Sequence, residues 1–289
     1  MAAQQPSEML PRVPTPYHDE KGVSKGWNEV TTNGWTFKGT TRPPVGLTEK
    51  RALQATLDAE RLPSVVHLAS ELTAEHADLG ISLQFNARGA LEAGVGSGGG
   101  ASRGPMAGIY RGNILIDKEK FRARLARNRL IEAPYFGKAV VQDSPRIPVK
   151  LLAQQGKMSF YDSIPLYKDD LQGNGSMVLE VKARAMDSFF LVLLREFTHI
   201  QSTQVRLVDT RYFYAFGEKV IVRDTEIRES TVENLKRISL ETRPSSASLN
   251  TSVHADERFF TDPNQVYDML RPNVSVNEII PVTIDLNLL

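Results

Sequence analysis

A short polar cluster beside several apolar residues is the first place where side chains could do chemistry. It reads Asp209-Thr210-Arg211-Tyr212 and lies in a predicted β-hairpin. A carboxylate and a guanidinium this close together can bind a charged group of a partner. They can also form an ion pair across strands on the solvated face of a sheet. The residues alone leave both interpretations open.

A glycine-rich stretch, Gly94 to Gly99, fits the G-x-G-x-x-G pattern of dinucleotide-binding sites. In those sites the first glycine directly follows a strand and the last opens a helix. Here residues 86–93 separate the glycines from the nearest predicted strand, and Pro105 follows them. We therefore predict a loop over residues 94–108 and keep a nucleotide-dependent enzyme as the weakest alternative.

Other arrangements typical of catalysis or metal binding are missing from the sequence. The five histidines are scattered, without the i, i+3 or i, i+4 partners of helix-borne metal sites. Asp169 and Asp170 are adjacent, so their carboxylates point apart, and we expect a solvated turn there. The chain has no cysteine, which excludes thiolate nucleophiles and cysteine zinc sites. We predict no catalytic residues, no metal, no cofactor and no enzymatic activity.

The composition is that of an ordinary globular protein: 289 residues, of which 41% are hydrophobic and 24% charged. The formal net charge is only +1, so no global field attracts the chain to nucleic acid or to an anionic membrane. No apolar run is long enough to span a bilayer, and the first residues lack the pattern of a signal peptide. We expect a soluble intracellular protein that is cytoplasmic, or both cytoplasmic and nuclear.

Positive charge is nevertheless concentrated in residues 101–150, which hold eleven Lys and Arg against four Asp and Glu. Within this segment a basic helix is predicted from Asp117 to about residue 129. No aromatic stacking platform, as single-stranded nucleic acid would require, is interleaved with these basic residues. We favour a solvated surface here, and the alternative function for the chain is a module that binds nucleic acid or an acidic protein through this segment.

The hydrophobic periodicity predicts strands joined by short connections, which favours antiparallel pairing. Residues 205–214 and 219–222 form the predicted hairpin, through a turn at 215–218. The other predicted strands cover residues 34–38, 81–85, 179–185 and 189–200, and the other predicted helices cover residues 48–62 and the segment from Asp262 to Pro272. We predict a single α+β domain over residues 34–289, built mainly of antiparallel β-sheets in two sandwich-like layers with peripheral helices, after a disordered tail over residues 1–33.

Several blocks along the chain match one family in order and spacing. They are GWTF at 34–37, LPS at 62–64, GISLQFNA at 80–87, IPVKL at 147–151, FYDSIPLYKDDL at 160–171, GNG at 173–175, Met186 with SFFL at 188–191, DTR at 209–211, RES at 228–230 and FTDPN at 260–264. Together they resemble the TIPRL, or Tip-forty-one, family of TOR-signalling regulators, which bind the catalytic subunits of type-2A-like serine/threonine phosphatases.

The resemblance implies which residues contact the partner. Four residues align with family positions that hold the phosphatase and its extreme C-terminal tail: Ile147, Leu207, Asp209 and Arg211. Two other family positions differ in this chain: Gly89 stands where the family has an aspartate, and Thr225 stands where it has a tyrosine. A groove that captures a chain terminus needs a cation for the carboxylate and apolar pockets for the last side chains. Arg211 could supply the cation, and Leu207, Val208 and Ile147 the pockets.

The functional expectation follows from this resemblance and from the missing catalytic motifs. We expect a non-enzymatic regulator that binds the catalytic subunit of a type-2A-like phosphatase, inhibits or otherwise modulates its activity, and so acts in TOR signalling. We expect no cofactor, no membrane contact, and a monomer when the partner is absent.

Overall fold

The computed structural model describes residues 29–95, 109–117, 147–152, 156–241 and 260–282. Two antiparallel sheets form its framework. The first has five strands in the order β1-β2-β4-β5-β6 and the second seven in the order β12-β11-β10-β9-β8-β7-β3. The strands are β1 (Glu29–Thr32), β2 (Trp35–Thr40), β3 (Val65–Val66), β4 (Glu71–His76), β5 (Ile81–Asn86), β6 (Asn113–Ile116), β7 (Met158–Asp169), β8 (Gly175–Met186), β9 (Phe189–Ile200), β10 (Gln204–Ala215), β11 (Val220–Thr231) and β12 (Val274–Pro281).

Short helices lie around the two sheets. They are α1 (Leu47–Leu57), α2 (Ala87–Val95), α3 (Val149–Leu152), α4 (Val232–Glu241) and α5 (Pro263–Met269), and a short 3-10 turn covers Leu171–Gly173. The predicted fold class, α+β with mainly antiparallel sheets in two layers and peripheral helices, is confirmed. Within the described ranges no helix is long and apolar enough to cross a membrane.

Aromatic side chains fill the space between the two sheets. Phe190 of β9 is fully buried, and its ring centroid lies 4.8 Å from that of Trp35 and 5.3 Å from that of Phe37, both on β2. Further along, Tyr212 of β10 meets Phe85 of β5 edge to face, with the centroids 5.4 Å apart. These contacts belong to one continuous core that spans both sheets. The two layers therefore form a sandwich whose inner faces are apolar.

The middle strands of the seven-stranded sheet follow the predicted patterns. In β8, Leu179 and Val181 point into the core while Glu180 and Lys182 stay half-buried on the other face, as alternation requires. β9 is buried on both faces along residues 189–195 and is the fourth of seven strands. The predictions of a one-sided strand at 179–185 and a central strand at 189–200 are confirmed. So is the hairpin of β10 and β11, although β11 is much longer than predicted.

Several predicted boundaries were wrong. Helix α1 ends at Leu57 rather than before Pro63, because Asp58 takes the left-handed conformation (φ 50°, ψ 40°) and closes the helix. The predicted disordered tail ended at residue 33, but Glu29–Thr32 form β1. The rest of that predicted tail, residues 1–28, lies outside the described part of the chain.

The region around the glycine run was also only partly foreseen. The residues between β5 and the glycines form α2, which ends at Val95. Most of the predicted loop, residues 96–108, lies outside the described residues, as does nearly all of the predicted basic helix. Asp117, its expected cap, directly follows β6, a strand that was not predicted.

One carboxylate is buried between the two sheets. Asp162 of β7 is 9% exposed, and its Oδ1 accepts a hydrogen bond from the Ser163 amide at 2.8 Å. Gly39 of β2 faces it so closely that a Cβ at residue 39 would lie 1.8 Å from Asp162 Oδ2. Burial raises the pKa of Asp162, and the Ser163 amide opposes this only in part. Ionised Asp162 therefore destabilises the fold.

Asp162→Asn is expected to increase the free energy of unfolding at pH 7. The pKa of Asp162 is higher in the folded than in the unfolded state, so ionisation opposes folding once the pH exceeds the unfolded value of about 3.8. The gain should be largest at neutral pH and should disappear below that value. Urea unfolding across this pH range checks it, with exposed Asp78→Asn as the control. A variant that is less stable than the parent at pH 7 would contradict it.

Candidate functional site

The predicted partner-binding residues of β10 lie on the face of the seven-stranded sheet that points away from the five-stranded sheet, here called the outer face. Tyr212 and Tyr214 point into the sandwich core, so the alternate residues Leu207, Asp209 and Arg211 point outwards. The register of the antiparallel ladder places Arg195 of β9 directly beside Asp209.

A buried ion pair forms the centre of this face. Asp209 has no exposed surface, and its two carboxylate oxygens accept hydrogen bonds from Nε and Nη2 of Arg195 at 2.7 and 2.8 Å. Nη2 of Arg211 donates a third hydrogen bond to Asp209 Oδ2 at 2.9 Å. Burial alone would raise the pKa of Asp209, but the two guanidiniums hold it below its ordinary value. Asp209 is therefore a fixed negative charge that holds two arginines.

The pair extends into a network on β11. Nη1 of Arg211 donates to Asp224 Oδ2 at 3.1 Å and to Glu226 Oε2 at 2.7 Å. Glu226 also accepts from Arg228 Nη1 at 2.7 Å. Arg211 is thus held by three carboxylates, which keep the pKa of its guanidinium above the ordinary value despite burial. We call Arg195, Asp209, Arg211, Asp224, Glu226 and Arg228 the charge network; its three cations and three anions balance.

Helix α5 covers the charge network. Asp262 caps this helix by accepting a hydrogen bond from the Asn264 amide at 2.9 Å, and Pro263 occupies its first turn. The ring of Tyr267 then lies over the network, with its centroid 3.8 Å from Cζ of Arg228 and 5.3 Å from Cζ of Arg211. A 2.8 Å hydrogen bond from Arg195 Nη1 to Asn264 Oδ1 fixes the same helix. The network therefore anchors α5 to the sheet.

Two apolar clusters flank the charge network along the strands. The α4–α5 cluster surrounds Leu207 and consists of Phe197, Val205, Leu207, Val232, Leu235, Phe260, Val266 and Leu270. The α3 cluster lies at the other end of β9 and β10 and consists of Leu152, Phe189, Leu191 and Phe213, with Ile147, Leu151, Met186 and Ala215 packed against it. Charged and apolar zones thus alternate along the outer face.

The structure places the predicted site residues in different parts of this face. Asp209 and Arg211 are brought into contact. Leu207 has no exposed surface and lies under α4 and α5, whereas half-buried Ile147 borders the α3 cluster. Val208, proposed with them as a pocket wall, follows Leu207 and so points to the opposite face. The role of these residues in partner binding stays a prediction.

Two expectations about charged residues change. Asp209 and Arg211 do form cross-strand ion pairs, Asp209 with Arg195 and Arg211 with two acids of β11, but these pairs are buried instead of lying on a solvated face. Asp169 does not lie in a solvated turn: it is 6% exposed and accepts hydrogen bonds from Arg61 Nη2 at 2.8 and 2.9 Å. Asp170 is exposed and accepts from the Gln172 amide at 3.1 Å, but its Oδ1 also lies 3.8 Å from the same Arg61 Nη2, so the two carboxylates approach one guanidinium instead of pointing apart.

The two changed family positions lie elsewhere. Thr225 is buried, and its hydroxyl is 3.2 Å from that of Thr210. Gly89 lies on α2, and its amide donates to Asn86 Oδ1 at 2.8 Å. Of the basic segment, Arg111 is described, and it forms an ion pair with Glu278 at 3.1 Å. In the described part of the chain no His, Asp and Glu side chains group in a way that could hold a metal ion.

The sequence reasoning did not single out Arg184, a further residue of the outer face. Arg184 of β8 lies at the margin of the α3 cluster, with its Cζ 5.6 Å from the centroid of the Phe189 ring. Its Nε is buried, and no described residue accepts a hydrogen bond from it. The alternation of β8 placed Arg184 on the polar face of that strand, but no sequence pattern reports that a charge lacks a partner.

Comparison with known proteins identifies the relatives of the chain. Residues 107–236 match the TIP41-like family model. A TIP41-like protein from Homo sapiens is 29% identical over 150 residues, 51% of this chain and 49% of that protein. One from Arabidopsis thaliana is 31% identical over 132 residues, 44% and 43% of the two chains. The type 2A phosphatase activator TIP41 of Saccharomyces cerevisiae is 30% identical over 95 residues, 33% and 27%.

These matches confirm the resemblance to the TIP41-like family. They are partial, since the chain spans about half the length of the curated mammalian relatives it matches, and less of the yeast protein. The segment matched by the family model contains β6 to β11 and the first half of α4. It therefore includes the strands that carry the charge network and most of the outer face.

Proposed function

We propose that this protein binds the catalytic subunit of a type-2A-like serine/threonine phosphatase, including its C-terminal tail, and modulates its activity in TOR signalling. The observation that carries the proposal is that the family match falls on the strands of the outer face. Two fungal relatives are named type 2A phosphatase activators, one of them 23% identical over 123 residues. The protein would act by binding and not by catalysis, in the cytoplasm or also in the nucleus, and would be monomeric without its partner.

The outer face has the properties that a peptide-binding surface requires. The charge network, buried beneath α5, holds strands β9 to β11 together through paired hydrogen bonds, so the sheet beside it loses little conformational freedom when a partner binds. The α3 cluster provides apolar area beside it, where half-buried Ile147 and Leu151 can contact a partner. A rigid sheet face that carries an apolar patch suits an extended peptide, whose side chains can pack against the patch.

Binding of the catalytic subunit is the direct test. We expect the purified protein to bind a type-2A-like catalytic subunit in a calorimetric titration and to change its rate of phosphopeptide hydrolysis. Removal of the last residues of the catalytic subunit should weaken the complex. If neither the intact nor the truncated subunit binds, the proposed function is wrong. The sign of the rate change distinguishes an activator from an inhibitor.

Ile147→Glu is expected to weaken binding of the catalytic subunit by about ten-fold or more. The substitution places a charge on the apolar margin of the α3 cluster, where a partner side chain would have to desolvate it. Leu115→Glu is the matched control, because Leu115 is 50% exposed on β6 of the other sheet. Equal affinities of the two variants would argue against the outer face, and a thermal melt of each excludes loss of fold as the cause.

A further inference from the structure

Arg184 carries a positive charge for which the described part of the chain provides no carboxylate. It lies half-buried on the outer face of β8 and stacks beside the Phe189 ring, with 5.6 Å between Cζ and the ring centroid. Its Nε is shielded from water without a hydrogen-bond acceptor. Burial lowers the pKa of its guanidinium, and no acid among the residues that the structure describes opposes that shift. An arginine nevertheless stays protonated at neutral pH.

The other arginines of the outer face differ from Arg184 in this respect. Arg195, Arg211 and Arg228 each contact a carboxylate at 2.9 Å or less. Arg206 resembles Arg184 in having a buried Nε without a hydrogen bond, but Glu229 Oε2 lies 3.7 Å from that atom and compensates its charge.

The charged residue nearest to Arg184 on the same face of β8 does not supply the missing partner. Lys182 is itself a cation, and it is paired with Glu180 at 2.6 Å. Tyr161 of β7 lies opposite Arg184 in the ladder, and burial raises the pKa of its hydroxyl, which therefore stays neutral. Among the described residues that face Arg184, none brings a negative charge to it.

A partly buried cation without a partner destabilises a folded chain, because it has lost water without gaining a carboxylate. Such groups deserve a functional explanation, and an incoming anion provides one: a carboxylate at Arg184 would gain a charge-assisted hydrogen bond in a partly dehydrated site. Arg211 cannot play this part without losing a partner, since three carboxylates already occupy its guanidinium.

The surroundings of Arg184 indicate which carboxylate fits. The α3 cluster begins at the Phe189 ring beneath the guanidinium and continues to Phe213 and Ile147. A terminal carboxylate shares its Cα with the last side chain of the peptide, so a cation beside an apolar cluster can hold both. An Asp or Glu side chain would instead place its backbone, and not an apolar group, next to the cluster.

We propose that Arg184 receives the terminal carboxylate of the phosphatase tail while the α3 cluster takes the last apolar side chain. This inference rests on the proposed function, and it moves the carboxylate-binding role from Arg211 to Arg184. The charge network, buried beneath α5, then holds the neighbouring strands in place and is not the anion receptor.

The test compares two synthetic peptides of the phosphatase tail, one with a free carboxylate and one with a C-terminal amide, alongside the intact catalytic subunit. Arg184→Met keeps most of the aliphatic length and removes the charge, and Lys182→Met is the matched control. The wild type should bind the free acid about 10- to 100-fold more tightly than the amide. Arg184→Met should bind both peptides equally weakly, and Lys182→Met should keep the wild-type preference.

A second measurement separates a binding role from a structural one. Loss of the unpaired cation should raise the melting temperature of Arg184→Met by about 2–4 °C, so weaker binding would accompany greater stability. If Arg184→Met still prefers the free acid as the wild type does, the inference is wrong although the proposed function stands. If Arg184→Met binds the free acid and the amide with the wild-type affinities, the inference is likewise wrong and the proposed function stands. If the wild type binds neither the subunit nor the peptides, both are wrong.

Discussion

Asp209→Ala is expected to lower the free energy of unfolding by about 3–5 kcal/mol, the range for removing one partner of a buried ion pair. Asp209 has no exposed surface and accepts three hydrogen bonds from Arg195 and Arg211. Its removal leaves two guanidiniums buried side by side without the anion between them. It also weakens the attachment of α5, which contacts both arginines through Tyr267.

Urea unfolding followed by circular dichroism measures this loss. Glu75→Ala is the control, because Glu75 is an exposed acid on β4 and its substitution should change stability by less than about 0.5 kcal/mol. A loss for Asp209→Ala as small as that of the control would show that the buried pair contributes little. Phosphatase binding by Asp209→Ala is informative only at temperatures where the variant is fully folded.

The pH dependence of the same variant gives an independent check. The pKa of Asp209 is lower in the folded than in the unfolded state, so ionised Asp209 stabilises the fold above the unfolded value of about 3.8. That stabilisation is lost as the pH falls from there through the folded pKa. The wild type should therefore lose stability in acid more steeply than Asp209→Ala, and parallel pH profiles would contradict the assignment.

Leu207→Ala is expected to lower the free energy of unfolding by about 2–5 kcal/mol, as large-to-small substitutions in a packed core do. Leu207 has no exposed surface and packs in the α4–α5 cluster against residues that include Leu235 and Val266. The cavity left by the substitution would loosen the contact between the two helices and β10. Leu207→Met, which conserves volume, should cost less than about 1.5 kcal/mol.

This pair of variants decides how Leu207 acts. Chemical unfolding and phosphatase titration are measured on both. If Leu207 is structural, as its burial indicates, affinity should follow the folded fraction and Leu207→Met should bind as the wild type does. A Leu207→Ala variant of unchanged stability but reduced affinity would instead support the direct contact implied by the family resemblance.

Unfolding and phosphatase titration of these variants also show which residues of the outer face support the fold and which bind the partner. Asp209, Arg211 and Leu207 are held by groups of the same chain, and their substitution should act mainly on the fold. Ile147 and Arg184 border the α3 cluster, and their substitution should act mainly on binding. Strand β10 would thus position a binding surface that lies beside it.

The sequence by itself determined the elements whose signals are local. Three adjacent strand regions of the larger sheet were predicted from local patterns: the alternation over 179–185, the apolar run at 189–200 and the turn at 215–218. The start of α5 was predicted from Asp262-Pro263. Each of these patterns lies within a few residues of chain, where side-chain period and capping chemistry act directly.

Several other strands and one helix were not predicted from the sequence. Strand β7 was not predicted, because register shifts at residues 158–160 and 165–167 interrupt its alternation and Pro165 lies inside it. In β12 three consecutive residues from Glu278 are buried, so no period of two is visible. Helix α4 was not predicted either, although Val232, Leu235 and Ile238 recur every three residues as on one face of a helix.

The partners of the charges were decided only by the tertiary structure. Asp209 meets Arg195 from fourteen residues away through the β9–β10 register, and α5 brings Tyr267 over both from a distant part of the chain. These contacts neutralise Arg211, whereas no carboxylate of the described residues reaches Arg184. The reason is physical: side-chain period is a local property of the backbone, whereas the neutralisation of a charge depends on every group that folding brings to within a few ångströms of it.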